Sequence, residues 1–64
     1  MQVILPDKTV LTLAGDPVSI EKLLLDLGIL PSGVIVAKNG KIVPEDSLAG
    51  DDDVIRIIRV AHGG

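Results

Sequence analysis

The residues best suited to chemistry are the last two. Gly63 and Gly64 carry no side chains, so an extended terminus made from them fits a narrow channel and sets the Gly64 carboxylate beside a bound nucleotide. A carboxylate so placed attacks ATP to give an acyl adenylate, which turns a poor electrophile into one open to a sulfur or nitrogen nucleophile. The single histidine, His62, directly precedes the glycines. A packed third group is not expected to orient it there as a base, and it reads as a solvated tail residue. The run Asp51-Asp52-Asp53 offers the oxygen ligands that hard cations take. Once a strand begins, however, only alternate residues face the same way, and no fourth ligand is evident. The run therefore reads as a solvated acidic turn that discourages pairing at a sheet edge, and no metal site is expected.

Composition narrows the classes further. The 64 residues include no cysteine and no aromatic residue, with nine acids against six bases and a net charge of −3. Without cysteine there is no disulfide framework, no thiolate nucleophile and no Cys-ligated metal centre. An acidic chain without stacking rings lacks the marks of a nucleic-acid binder. No apolar run approaches the roughly 18 residues of a membrane-spanning helix, and a cytoplasmic protein with no membrane association is expected. So short a chain buries only about 60% of the surface its unfolded form exposes. That leaves one thin core and little room for a catalytic pocket, so the chain is not expected to act as an enzyme.

The elements that must position the terminus follow from hydrophobic period. Gln2 to Leu5 and the alternating Thr9 to Leu13 read as two strands, joined at Pro6-Asp7-Lys8, where proline presets one turn angle and Asp7 bonds backbone two residues on. Ile20, Leu23, Leu24 and Leu27 then recur at i, i+3, i+4 and i+7, the face of an amphipathic helix. Ser19 is its N-cap, with Asp16 before Pro17 serving a slightly longer helix, and Gly28 is its stop. Pro31-Ser32-Gly33 reads as a loop. Val34 to Lys38 and Lys41 to Val43 flank Asn39-Gly40, the pair that best tolerates a type I′ turn. Glu45 to Asp53 reads as a loop with Leu48 tucked beneath it as an apolar plug, and Val54 to Val60 is the last strand.

The resulting order, ββαβββ, predicts an α+β fold: a mixed sheet of five strands with one helix packed on one face. The segments near Val3 and Ile57, the most apolar, belong side by side at the sheet centre and parallel, the arrangement called a β-grasp. Residues 1–60 are expected to form the single domain and residues 61–64 a flexible tail. Along the last strand Ile55 and Ile57 share one face, and Arg56, Ile58 and Val60 the other. If the helix covers the first pair, then Arg56, Ile58 and Val60, with Ile35 and Ala37 from the neighbouring strand, form an open apolar face suited to a partner. Arg59 points opposite to Arg56 and is expected to lay its stem along apolar surface near the sheet end.

Several stretches carry a resemblance. The opening strand, the Gly15 loop before the helix, Val34-Ile35-Val36-Ala37-Lys38-Asn39-Gly40-Lys41-Ile42-Val43-Pro44, the Leu48 to Asp53 approach, the strand to Val60 and the terminal Gly63-Gly64 together resemble the small β-grasp sulfur carriers of the ThiS/MoaD family, relatives of ubiquitin. Length and the Lys41 to Pro44 segment are more similar to the thiamine-pathway carrier than to the small subunit of molybdopterin synthase. The resemblance implies a carrier whose Gly64 is adenylated by an ATP-dependent E1-like adenylyltransferase and then converted to a thiocarboxylate by a sulfur donor enzyme. Delivery would go to thiazole synthase or to the large subunit of molybdopterin synthase. It also implies that Gly63 and His62 thread the tail, that Arg56, Ile58 and Val60 dock on the activating enzyme, and that the chain binds no cofactor, ATP being used by its partner. The chain departs from the pattern in lacking the aromatic residue common in the last strand, where Ile58 stands. Two other readings share the sequence: a ubiquitin-like modifier joined to lysines through Gly64, and a noncovalent adaptor using the open face. Deletion of Gly63 and Gly64 separates the adaptor from both covalent readings.

Overall fold

The computed structural model describes residues 1–60; the tail expected over Ala61 to Gly64 lies outside the described residues. Strand β1 (Gln2–Ile4) pairs antiparallel with β2 (Val10–Thr12), Val3 facing Leu11 across the ladder. The turn between them is built as its sequence predicts: Asp7 Oδ1 accepts the Thr9 amide at 2.9 Å, and the Lys8 amide donates to the Leu5 carbonyl at 2.8 Å. Lys8 takes the left-handed conformation at φ 74°.

Helix α1 (Ile20–Asp26) starts at Ser19, whose Oγ accepts the Lys22 amide at 3.1 Å. It stops at Gly28, where φ is 76°. There the Ile29 amide donates to the Leu24 carbonyl at 2.8 Å and the Gly28 amide to the Leu25 carbonyl at 3.0 Å, a paired closure that satisfies carbonyls the helix leaves orphaned. Residues Pro31–Gly33, read as a plain loop, form one turn of 3-10 helix, since proline suits the first position of such a turn. Strands β4 (Val34–Lys38) and β5 (Lys41–Val43) follow as a hairpin about Asn39 and Gly40, with φ of 52° and 84°.

The last strand described here, β7 (Val54–Arg59), lies in the middle of a five-stranded sheet of order β2-β1-β7-β4-β5, parallel to β1 and antiparallel to β4. This is the predicted β-grasp with the helix on one face. Val3, Val36, Ile55 and Ile57 of the sheet are buried against Ile20, Leu23 and Leu24 of the helix, with Ala49 completing the core.

One expectation fails in an instructive way. The segment after β5 is not a bare loop over a Leu48 plug, because β6 (Leu48–Ala49) pairs with β3 (Val18–Ser19) as a second, two-stranded sheet. Alternation within that ladder turns Leu48 outward, 60% exposed, and puts Ala49 in the core at 0%. The pairing exists because the helix start needs acceptors. The Ile20 and Glu21 amides donate to the carbonyls of Ser47 and Glu45, each at 2.8 Å, so the returning chain caps donors that have no partner inside the helix.

The acidic run also has structural work. Asp53 accepts the Gly50 amide at 2.8 Å through Oδ2 and the Asn39 carboxamide at 2.9 Å through Oδ1, while the Val54 amide donates to Asn39 Oδ1 at 2.9 Å. The Asn39 amide in turn reaches the Val54 carbonyl at 2.9 Å. These bonds clasp the tip of the β4–β5 hairpin to the start of β7. Asp51 Oδ1 accepts the Gly15 amide at 3.3 Å, and the described residues contain no group of three or more possible metal ligands.

Two expected outcomes follow. Leu23→Ala or Leu24→Ala should cost about 2 to 5 kcal/mol in urea unfolding, whereas Leu27→Ala, at a partly buried position, should cost less. The Gly50 amide and then the Asn39 carboxamide hold the Asp53 carboxyl below its ordinary value of 3.8. Because the folded-state value is the lower one, this contribution is present above the unfolded-chain value and is lost as pH falls through the folded value. Unfolding midpoints measured from neutral to acid pH should therefore fall more steeply for the parent protein than for Asp53→Asn.

Candidate functional site

A two-sided sheet with one helix leaves the other side uncovered, and register decides what stands there. Residues directly paired across strands share a face. Ile35 pairs with Ile58, Ala37 with Arg56, and Ile4 with Arg56 on the opposite side. Four of the five sequence-predicted face residues thus come together on the side away from α1. The contrast along β7 is sharp: Ile57 is 1% exposed and Ile58 42%. Val60 lies just past β7, exposed, its amide donating to the Gly33 carbonyl at 3.1 Å. His62, Gly63 and Gly64 lie outside the described residues.

The face is wider than the sequence reading made it. Ile42 pairs with Ala37, Val10 with Ile4, and Val54 with Gln2, and all three side chains are exposed. A signal for Ile42 was available: a two-residue Asn39-Gly40 turn forces Lys38 opposite Lys41, and therefore Ala37 opposite Ile42. Val10 was harder to place, since the length of the Pro6 to Lys8 turn does not by itself fix a register.

Charge is sparse on this surface. Among the described strand residues that share the face, Arg56 is the only charged one. Strand β1 ends at Ile4, opposite Arg56, so the remainder of β7 has no neighbour on that edge. The gap is a shallow groove of ≈ 240 Å³ lined by Ile4, Leu5, Pro6 and Lys8 on one wall and Arg56 to Arg59 on the other. Arg59 pairs with Val34 on the helix side, is exposed, and lines a second depression with Leu5, Pro6, Asp7, Leu27 and Ile29. The exposed strand residues thus form an apolar plateau with one central cation. No helix among the described residues is long and apolar enough to cross a membrane.

A helix gripped by a mixed five-stranded sheet, with the final strand central and parallel to the first, defines a β-grasp protein of the ubiquitin-like class. The solved structure of the thiamine biosynthesis protein (ThiS) from Geobacter metallireducens is similar in fold, with a TM-score of 0.70, 20% sequence identity and 100% of both chains covered. No protein of curated function matches the chain in sequence. The family model for ThiS matches residues 4–64. The chain therefore belongs to the ThiS family, whose members are small sulfur carriers and not enzymes.

The assignment of faces generates a paired expectation. Ile57→Ala should cost about 2 to 5 kcal/mol in chemical unfolding, while Ile58→Ala, one residue on, should cost less than about 1 kcal/mol. Equal losses at the two positions would mean that something covers the open side.

Proposed function

We propose that this sulfur carrier serves thiamine biosynthesis through a thiocarboxylate on Gly64. The carboxylate of Gly64 attacks the α-phosphorus of ATP held by an E1-like activating enzyme, forming the acyl adenylate and releasing pyrophosphate. A sulfur donor enzyme then supplies the sulfur that displaces AMP, leaving a thiocarboxylate that gives up its sulfur to the enzyme building the thiazole ring. Gly63 keeps the terminus thin enough to enter both partners, with His62 beside it in the threaded segment. The open face, with Ile58, Ile35, Ala37 and Val60 around Arg56, is the surface by which the activating enzyme holds the carrier while the terminus reaches its nucleotide. ATP belongs to that enzyme, and the carrier itself binds no cofactor.

The observation that carries this reading is the reach of the family match, which runs from residue 4 to residue 64 and so takes in Gly63-Gly64 together with the sheet. The open face supports it as well, since an uncovered apolar sheet surface gains from burial against a partner protein.

The deciding experiment is the intact mass of the protein taken from its own cells. Replacement of one carboxylate oxygen by sulfur adds about 16 Da, the same nominal gain as oxidation of Met1, so fragmentation must place it. Sulfur located on Gly64 is expected. Branched peptides ending in Gly63-Gly64 on lysines of other proteins, with no sulfur-bearing carrier, would replace this reading with that of a modifier.

A further inference from the structure

Asn39 is followed by a glycine, and that pairing has a covalent consequence. Gly40 has no side chain to shield its backbone nitrogen, and a Cβ built there would meet nothing within 4 Å. Both residues are exposed, so neither burial nor crowding keeps water or the attacking nitrogen away. In the reaction open to such a pair, the Gly40 nitrogen bonds to Asn39 Cγ and the Cγ–Nδ2 bond breaks. Ammonia departs with the proton that the Gly40 nitrogen gives up. Water then opens the five-membered imide at either carbonyl, leaving aspartate or its isoaspartyl isomer at position 39. No oxidant or reductant is involved.

What stands against this reaction in the fold is the clasp. Asn39 Oδ1 holds the Val54 amide and Nδ2 donates to Asp53, each at 2.9 Å, so the carboxamide must leave both partners before Cγ can turn toward Gly40. We propose that Asn39 is a site of spontaneous deamidation whose rate is set by the bond to Asp53, and whose product cannot re-form that bond. Aspartate at position 39 has no N–H to offer Asp53 Oδ1 and brings a second carboxylate to the place where the amide stood. The isoaspartyl form adds a methylene to the backbone of a two-residue turn whose φ angles of 52° and 84° fit its register. Either product loses the bond between position 39 and Asp53 and so loosens the tip of the hairpin from the start of β7, while the β4–β7 ladder stays in place.

The test uses the full chain, its Asp53→Ala and Asp53→Asn variants, and the parent protein unfolded in guanidinium chloride. All are incubated at neutral pH, and the gain of about 1 Da on the fragment containing Asn39 is followed by mass spectrometry. The native chain should deamidate roughly five- to thirtyfold more slowly than the unfolded one, the factor expected for two ordinary hydrogen bonds. Both variants should move the native rate toward the unfolded rate. Asp53→Asn keeps the side chain's shape and leaves one oxygen to serve two donors, so it decides the matter if circular dichroism shows Asp53→Ala to be unfolded. Equal rates in native and unfolded parent protein would overturn the proposal, as would a folded Asp53→Asn that deamidates no faster than the parent. Asn39→Asp, made directly, should unfold at lower denaturant concentration; an unchanged midpoint would show that the product closes again and overturn the second half.

Discussion

A helix of seven residues can cover one face of a five-stranded sheet and no more. That limit shapes everything else in the molecule. The core is reduced to a single layer in which Ile20, Leu23 and Leu24 meet Val3, Val36, Ile55 and Ile57, and every one of those contacts matters because there are so few. It also leaves the second face of the sheet without cover among the described residues. In a larger protein another helix would fill that side; here a row of isoleucines and valines around Arg56 stays open, and the open face becomes the part of the surface with the most to gain from a partner.

The fold was legible in the sequence to the extent that local rules agreed with one another. The helix could be read because its apolar period, the Ser19 cap and the Gly28 stop agreed with one another; the earlier start that Asp16 before Pro17 also offers is not the one taken. The hairpin at Asn39-Gly40 could be read because few residues accept two successive left-handed positions. What stayed hidden was the short ladder between β3 and β6. Two residues on each side carry no period to detect, and the reason for the pairing lies in the Ile20 and Glu21 amides seeking carbonyls that are far away in sequence. Leu48 was misplaced for the same reason. Its hydrophobicity argued for burial, but the ladder gave the inward position to Ala49, whose small side chain fits beneath the helix start.

The functional site divides along a similar line. Alternation in β7 was enough to place Arg56 and Ile58 on the open side, and the register of β4 added Ile35 and Ala37. Ile4, Val10 and Val54 required knowing which strands lie beside which. The terminus is the reverse case: Gly63 and Gly64 are informative because of what they lack, and the reading proposed for them rests on chemistry rather than on the fold.

The place of β7 in the sheet bears on how such a protein withstands being handled. The strand that leads toward the terminus is bonded on one side to β1, running parallel, and on the other to β4, running antiparallel. A pull toward the terminus therefore loads β7 along its own length, in shear against two neighbours. Its hydrogen bonds would have to yield together and could not open one at a time from an end. An edge strand in the same role would peel. Placing the leading strand in the middle lets the sheet resist a pull along that strand better than an edge strand would.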